Sequence, residues 1–374
     1  MIAAVLLAGA GLFLAGHLVS AALAMARRGR RQAGSLIDPS ARITLLRPVC
    51  GRESFDADTL GSSFGQDWPN HDVIFCAPDD ADPAVPLVQG LIAAHPGIKA
   101  RLLTGQDHVT GNPKVDNLLK GWAAAGSDWV CMADSNLLLP PDYLRTLAAS
   151  WTKGTGLVSS PAWGDRPDGV WGRLECAFLN SNQARLQLTA DSLGMGFAQG
   201  KTLFWNRAML DRAGGLPALG GWLAEDVAAT RLTRAQGLAV RLPPLPYPQP
   251  IGRRSFGQVW DRQVRWSRVR RDGFAVMFMV EFINGVVLPL ILLAAGLALA
   301  GLSPIWLAAF VLAWFGTEAV LMRAMGWPAG WRDVAVLPLR DGLLPLIWVA
   351  TFRQRGITWR GHAMATPASR DRQA

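Results

Sequence analysis

Residues 129–136 read Trp129-Val130-Cys131-Met132-Ala133-Asp134-Ser135-Asn136, an apolar run that ends in a carboxylate. A short apolar run bounded by polar residues is typical of a strand buried on both faces. Similar runs precede it, each followed by a helical stretch. This alternation predicts an α/β fold with a largely parallel sheet and helices on both faces. The earlier pairs are Ile43–Val49 with Leu60–Phe64, Val73–Ala77 with Val85–Ala94, and Ala100–Leu103 with Val115–Ala125.

Acidic residues follow two of the predicted strands. In parallel sheets, ligands bind beyond the carboxyl ends of the strands, which is where Asp134 and the cluster Asp79, Asp80 and Asp82 are expected. A carboxylate there can accept hydrogen bonds from a uracil or a ribose, so Asp79 and Asp82 are candidate substrate-binding residues. Taken alone, the cluster is more typical of a solvated turn with helix-capping aspartates.

An apolar segment precedes the α/β region. Ile2–Met25 contains no charged residue apart from the weak base His17, and a helix of that length spans roughly 36 Å, enough to cross a hydrocarbon core of about 30 Å. Basic residues follow the segment instead of preceding it, which favours a membrane anchor over a cleaved signal peptide. The positive-inside rule then predicts a cytoplasmic location for these residues. They are Arg27, Arg28, Arg30 and Arg31.

Three further apolar segments follow the α/β region. Phe282–Leu302 is uncharged and Ile305–Met322 contains only Glu318, so both predict membrane spans. Val334–Phe352 contains the adjacent pair Arg340-Asp341, which is costly in a membrane unless the charges face each other, water or a protein interior. A re-entrant or interfacial helix is the alternative there. The predicted organisation is an anchor at 1–26, a cytoplasmic domain at 40–272 and membrane or interfacial helices at 275–353.

The composition argues for a membrane partner. Half of the residues are hydrophobic, and the net charge is +9, from 37 basic and 28 acidic residues. The arginines gather beside the apolar spans, at 27–31 and 253–271, which fits anionic lipid headgroups better than nucleic acid. The four cysteines, at 50, 76, 131 and 176, lack Cys-x-x-Cys spacing and predict buried, reduced thiols.

Asp134-Ser135-Asn136 is similar to the Asp-x-Asp element with which many sugar transferases hold a divalent ion against a nucleoside diphosphate. Hard oxygen ligands suit Mg²⁺ or Mn²⁺, and such an ion offsets charge on a leaving diphosphate. Asn136 offers an uncharged amide oxygen in place of the second carboxylate. Asp134 is therefore the candidate metal ligand and a candidate substrate-binding residue.

Two predicted helix starts carry further candidates. Asn112-Pro113-Lys114 places a proline in a first turn, where Lys114 could reach a phosphate or a base edge. Glu225-Asp226 places two carboxylates at a second helix start, where the helix dipole is expected to lower the pKa of a carboxylate. Asp226 is the candidate base for an incoming hydroxyl and Glu225 a candidate substrate-binding residue, with helix capping as the alternative for both.

A basic and aromatic motif precedes the C-terminal apolar segments. In Arg262-Gln263-Val264-Arg265-Trp266, the residues at i, i+3 and i+4 share one face of a helix. Two guanidinium groups can clamp a diphosphate and an indole can stack on a sugar, so Arg262, Arg265 and Trp266 are candidate catalytic residues. Binding of lipid headgroups is the competing interpretation, shared with Arg268, Arg270 and Arg271.

In their order, these motifs resemble those of the ceramide glucosyltransferase family, glycosyltransferase family 21, among the family 2-like inverting enzymes. The resemblance covers nearly the whole chain. It makes Asp82, Asp134 and Asp226 the three family aspartates, Asp226 the expected base, and Arg262–Trp266 the closing pentapeptide. The Asn-Pro-Lys run at 112–114 is also similar, and Ala198-Gln199-Gly200-Lys201 is most similar to bacterial members.

The resemblance implies a nucleotide-sugar-binding, Rossmann-like domain of the glycosyltransferase A type, facing the cytoplasm from the inner membrane. It further implies inverting transfer from a UDP-sugar, with UDP-glucose as the leading donor, to the primary hydroxyl of ceramide. A transferase for hopanoid, for diacylglycerol or for another UDP-sugar stays open, as does a non-catalytic membrane scaffold. Processive polysaccharide synthases share the pentapeptide type, but they need more membrane helices than the three or four predicted. The oligomeric state is not predicted.

Overall fold

The computed structural model describes residues 1–29, 35–222, 224–279, 281–353, 357–359 and 362–364. The chain divides into two compact units. The helical unit is drawn from Met1–Gly29, Trp163–Ser192 and Ile251–Arg355. The sheet unit is drawn from Arg30–Ala162, Leu193–Pro250 and Gly356–Ala374. Residues 163–192 and 251–272, which we assigned to one domain with the sheet, therefore group with the apolar helices.

The described strands are β1 (Ile43–Pro48), β2 (His71–Cys76), β3 (Ala100–Leu103), β4 (Trp129–Ala133), β5 (Thr155–Ser160), β6 (Ala162–Asp168), β7 (Thr202–Asn206), β8 (Ala239–Arg241), β9 (Tyr247–Arg253), β10 (Ile357–Trp359) and β11 (His362–Met364). Seven of them form one sheet in the order β3-β2-β1-β4-β7-β5-β8. Within the part β3-β2-β1-β4, neighbouring strands run parallel, whereas β7 is antiparallel to both β4 and β5. β6 pairs with β9, and β10 pairs with β11.

The four strands predicted from apolar runs are confirmed, with ends that shift by at most two residues. In the centre of the sheet, Leu45 of β1 lies opposite Val73 of β2 and Cys131 of β4, and all three are buried. Parallel strands covered on both faces need continuous apolar sequence, which explains why these runs were visible. Cys76 and Cys176 are buried as well, whereas Cys50 is only partly so.

Helices of the sheet unit follow the predicted strands. Val85–Ala94 is confirmed as predicted. The next helix begins at Pro113, as the Asn112-Pro113-Lys114 run predicts and two residues before the apolar stretch from Val115. The Asn112 side chain accepts hydrogen bonds from the backbone of Lys114 and Val115. The α-helices of this unit are Asp56–Gly61, Val85–Ala94, Pro113–Ala124, Tyr143–Ala149, Arg207–Arg212 and Glu225–Ala235, with 3₁₀ turns at Ser62–Phe64 and Leu216–Gly221.

The helical unit makes this a membrane protein. In the described part of the chain, three helices are long and apolar enough to cross a membrane, namely Ile2–Gly29, Ile305–Met325 and Trp331–Arg353. The unit's helices are Ile2–Ala26, Gly169–Ala177, Arg185–Ser192, Phe256–Gly273, Ala275–Met279, Val287–Ala300, Ile305–Met325, Trp331–Ala335 and Leu337–Arg353, with 3₁₀ turns at Arg27–Gly29 and Glu281–Ile283 and a π-helix at Phe178–Ala184.

The helix within the predicted span Phe282–Leu302 is shorter than that span. It covers only Val287–Ala300, 14 residues, or about 21 Å at the usual rise. Gly285 has φ 125° before the helix and Gly301 has φ 64° after it, both in the region that favours glycine. A glycine near each end thus bounds the helix, although the apolar sequence extends beyond it.

The charges inside the last apolar segment are compensated within the helical unit. Arg340 donates to both carboxylate oxygens of Glu318 at 2.8 Å and also pairs with Asp341. Asp341 in turn accepts a hydrogen bond from the backbone N–H of Val286 at 2.8 Å. This is the protein interior that the adjacent charges require. Of the arginines after the anchor, Arg27 pairs with Asp191 at 2.6 Å, while Arg30 and Arg31 lie outside the described residues.

Candidate active site

Antiparallel pairing of β7 with β4 builds the centre of the site. Ala133 lies opposite Thr202, so Lys201 comes to the strand end that carries Asp134. The Asp134 backbone N–H donates to the Lys201 carbonyl at 3.0 Å, and Lys201 Nζ lies 3.0 Å from Asp134 Oδ2. We did not predict Lys201 as a site residue, because its approach depends on a strand pairing that no local pattern indicates.

Lys114 joins three separate parts of the sheet unit. Its Nζ lies 2.6 Å from Asp134 Oδ1 and 2.6 Å from Glu225 Oε1, and it donates to the Gly200 carbonyl at 2.7 Å. We call Lys114, Asp134, Lys201, Glu225 and Asp226 the lysine–carboxylate cluster. The predicted candidates Lys114, Asp134 and Glu225 are thus brought together at one edge of the sheet.

A buried arginine donates hydrogen bonds to the backbone of the loop after β4. Arg47, at the end of β1, has Nη2 within 3.1 Å of the carbonyl oxygens of Thr59, Ser135 and Leu137. Asn136 on the same loop accepts a hydrogen bond from Lys201 Nζ at 2.8 Å. Sequence reasoning missed Arg47, although an arginine inside an otherwise apolar strand is a signal of a polar partner.

Asp226 lies at the start of helix Glu225–Ala235, as predicted. Its Oδ1 accepts from the Val227 backbone N–H at 2.8 Å and its Oδ2 from the Gly200 N–H at 3.3 Å. Burial, followed by the negative charge of Glu225, raises the pKa of Asp226 to about 7. The expected lowering of this pKa is therefore wrong, because burial and a neighbouring carboxylate outweigh the helix dipole.

The two lysines keep Asp134 ionised. Burial alone would raise the pKa of Asp134, but Lys114 and Lys201 hold it well below its usual range. Burial likewise opposes the charge on Lys114, yet Asp134 and Glu225 raise the pKa of that lysine. Formally, the cluster is neutral when Asp226 is protonated and carries one negative charge when Asp226 is ionised. It has no spare positive charge for a nucleoside diphosphate.

The residues around Asp134 fit a divalent cation that is shared with phosphates. Asp134 and Asn136 present hard oxygens that both lie within 3.0 Å of the single Lys201 Nζ. Mg²⁺ in enzymes commonly takes one or two carboxylates, water and substrate phosphates. Within the described ranges, no group of three or more His, Cys, Asp or Glu side chains could hold a metal by itself. A cation here would therefore depend on ligands from a bound diphosphate.

The acidic residues after β2 make turn contacts. Asp82 is buried and accepts from the backbone N–H groups of Gly51 and Ala84 at 2.8 to 3.0 Å. Asp79 is exposed and accepts from the Ala81 N–H at 2.8 Å. These contacts match the turn interpretation but not helix capping, because the N-cap of helix Val85–Ala94 is Ala84, without a side-chain cap hydrogen bond. Substrate binding by Asp79 and Asp82 stays a prediction.

The pentapeptide belongs to the helical unit, on helix Phe256–Gly273. Arg262 Nη1 lies 3.0 Å from Oε1 of the buried Glu175, and its guanidinium carbon lies 4.6 Å from the ring centroid of Trp266. Arg262 and Trp266 thus share a helix face, with an ion pair on one side of the guanidinium and an indole on another. Glu175 was not predicted, since no motif marks it.

A family model described as glycosyl transferase family 21 matches residues 12–370, nearly the whole chain. The chain belongs to glycosyl transferase family 21. The resemblance inferred from the aspartates and the pentapeptide is confirmed at the level of the family.

Curated relatives of this family 21 chain include two proteins of Caenorhabditis elegans. The chain is 26% identical to ceramide glucosyltransferase 1 over 262 residues, covering 69% of this chain and 56% of the relative. It is 23% identical to ceramide glucosyltransferase 3 over 330 residues, covering 86% of this chain and 72% of the relative. The chain thus spans only about half the length of the first of these relatives.

A solved structure supports the predicted fold class. A mannosyltransferase from Pyrobaculum calidifontis, in complex with GDP-Man and Mn²⁺, superposes with a TM-score of 0.58 at 16% identity, covering 94% of this chain and 99% of the other. The α/β domain of the glycosyltransferase A type with N-terminal and C-terminal membrane helices is confirmed for this family 21 member.

The raised pKa of Asp226 predicts a pH-dependent effect on stability. The folded state holds a proton that the unfolded chain loses near the ordinary pKa of 3.8, so the stabilising contribution is full below that pH and is lost as pH rises to about 7. Asparagine cannot ionise and mimics the protonated form. We expect Asp226→Asn to raise the melting temperature relative to wild type, and to raise it more at pH 8 than at pH 5.

Thermal unfolding of the purified full-length protein in detergent at both pH values measures this difference. Asp142→Asn, at an exposed aspartate before helix Tyr143–Ala149, controls for the loss of a carboxylate. An equal shift at pH 5 and pH 8 for Asp226→Asn would contradict the prediction.

Proposed function

We propose that this protein is an inverting membrane glycosyltransferase that moves glucose from UDP-glucose to the primary hydroxyl of ceramide. The observation that carries the proposal is the position of Asp226. A carboxyl group with a pKa raised to about 7 lies in one cluster with Lys114 and Asp134 at the sheet edge, in a chain of family 21. The names of the relatives support glucose and ceramide.

The reaction we propose needs one base and a stabilised leaving group. Asp226 takes the proton of the acceptor hydroxyl as its oxygen forms a bond to the anomeric carbon of the sugar. The bond from that carbon to the diphosphate breaks, and the electron pair leaves with the diphosphate. Attack on the face opposite the leaving group turns an α-linked donor into a β-glycoside. A base with a pKa near the working pH suits this proton transfer.

Donor binding is assigned to the other side of the cluster. Asp134 would hold Mg²⁺ or Mn²⁺, with Asn136 as a neutral neighbour. When bound, such an ion offsets the charge that develops on the leaving diphosphate. Lys114 and Glu225 would bind donor groups directly, and Asp79 and Asp82 would contact the nucleoside. The neutral or negative formal charge of the cluster supports the need for an added cation.

The pentapeptide is assigned to the closing of the site. Arg265 would bind the diphosphate, and Trp266 would stack on an apolar face of the sugar or lipid. Arg262 is held by Glu175 and packs on Trp266, so it would orient the indole in addition to any contact with phosphate. We assign the protein to the inner membrane with the catalytic domain in the cytoplasm, on the basis of the arginines that follow the anchor.

Product analysis by mass spectrometry tests the proposal. Purified full-length protein in detergent is incubated with ceramide, Mg²⁺ or Mn²⁺, and separately with UDP-glucose, UDP-galactose, UDP-glucuronate, UDP-N-acetylglucosamine or GDP-mannose. We expect hexosylceramide from UDP-glucose. Product formed only with hopanoid or diacylglycerol would show that ceramide is not the acceptor. Product formed only from another donor would show that glucose is not the transferred sugar. Donor binding without acceptor-stimulated release of UDP would support a non-catalytic scaffold.

Asp226→Asn is expected to lower kcat by at least about 100-fold, because general-base catalysis contributes roughly that factor or more. The affinity for UDP should stay within a few-fold of wild type. In the wild-type protein, kcat/KM should rise about tenfold per pH unit below pH 7 and level off above it, since the base must be ionised. Kinetics from pH 5 to 9 measure both effects, and near-normal turnover of Asp226→Asn would remove Asp226 as the base.

Asp134→Ala is expected to abolish binding of both the cation and the donor. The substitution removes the only carboxylate assigned to the cation. It also removes one of the two carboxylate partners of Lys114, which then pairs only with Glu225. Isothermal titration with UDP in the presence of Mn²⁺ measures the loss, with Asp142→Ala as the matched control. An unchanged UDP affinity would show that Asp134 does not hold the donor.

A further inference from the structure

Lys201 lies where the Asp134–Asn136 element would hold its divalent cation. Lys201 Nζ is 3.0 Å from Asp134 Oδ2 and 2.8 Å from Asn136 Oδ1. One ammonium group therefore contacts both Asp134, the residue assigned to the cation, and the neighbouring Asn136. Lys201 is buried and lies directly before β7. It belongs to the lysine–carboxylate cluster, but the proposed reaction gives it no role.

A divalent cation held by Asp134 would compete with the ammonium group of Lys201 for the same carboxylate. The two positive charges would repel each other across it. Binding of the cation is therefore expected to displace the Lys201 side chain. The backbone of Lys201 is fixed, because its carbonyl accepts the Asp134 N–H, so the side chain has to make the movement.

An incoming diphosphate offers the ammonium group new partners. Phosphate oxygens are strong acceptors for a lysine, which acts as a mobile point charge. Lys114 meanwhile keeps Asp134 Oδ1 and Glu225 in place through its two contacts at 2.6 Å. Asp134 therefore stays oriented while its second oxygen is released to the cation.

We propose that Lys201 is an internal counter-ion, which fills the Asp134–Asn136 element in the donor-free protein and gives way to the divalent cation as the donor diphosphate arrives. The inference rests on the donor half of the proposed function. It makes nucleotide and cation binding mutually dependent, because each favours the arrangement in which Lys201 has left the element.

Binding of Mn²⁺ tests this coupling directly. The signal of free Mn²⁺ in electron paramagnetic resonance gives its affinity for the purified full-length protein, without and with saturating UDP. In wild type, we expect UDP to tighten Mn²⁺ binding at least tenfold, within the usual range of about 5-fold to 150-fold for coupled sites. In Lys201→Met, Mn²⁺ should bind more tightly than in wild type without UDP, and the effect of UDP should fall below about threefold.

Two further variants complete the design. Lys153→Met removes an exposed lysine from the turn before β5 and should behave as wild type. Lys201→Arg keeps the positive charge and should retain more of the coupling than Lys201→Met. If Lys201→Met does not fold, loss of coupling in a folded Lys201→Arg that still binds UDP would overturn the inference.

The remaining outcomes separate this inference from the proposed function. Two results would overturn the counter-ion role even if hexosylceramide is formed. One is that UDP does not change the Mn²⁺ affinity of the wild-type protein, and the other is that Lys201→Met has the Mn²⁺ affinity of wild type. Coupling that depends on Lys201, in a protein that forms no hexosylceramide, supports the counter-ion role and overturns the proposed transfer of glucose to ceramide.

Discussion

The ion pair between Lys114 and Asp134 is the interaction on which the rest of the site depends. Its 2.6 Å contact, together with the equally short contact to Glu225, ties the end of β4 to the start of helix Glu225–Ala235. Three carboxylates gathered at one sheet edge would repel each other without cations between them. Burial, and after it the negative charge of Glu225, raises the pKa of Asp226 to about 7, while Lys114 opposes that rise. The packing that buries this carboxyl group thus also sets the pKa that the proposed base requires.

Charge compensation away from water recurs in the helical unit. Arg340 lies between Glu318 and Asp341 among apolar helices, and Arg262 pairs with the buried Glu175. Removing one partner of such a set leaves an uncompensated charge, which is far more costly than the intact set. These pairs therefore restrict how the helices can pack, beyond what their apolar surfaces specify. The same restriction explains how an adjacent Arg and Asp persist in an otherwise apolar segment.

Sequence reasoning succeeded where the signal was local. The first four strands, the start of helix Pro113–Ala124 and the position of Asp226 follow from apolar runs and capping residues. Lys201 was missed because its approach depends on antiparallel pairing between β4 and β7, which are distant in the chain. The direction of the Asp226 pKa was missed because burial depends on tertiary packing. The length of the helix within Phe282–Leu302 was overestimated, because hydropathy does not show that the helix is bounded by Gly285 and Gly301.

The buried Arg47 has a consequence for the thermodynamics of ligand binding. By contacting the carbonyl groups of Thr59, Ser135 and Leu137, it fixes the backbone that carries Asp134 before any ligand is present. The loss of conformational entropy in this loop then belongs to folding and not to association. Side-chain rotation is left as the main adjustment, so a ligand meets a preorganised backbone and most of its interaction energy is retained as affinity.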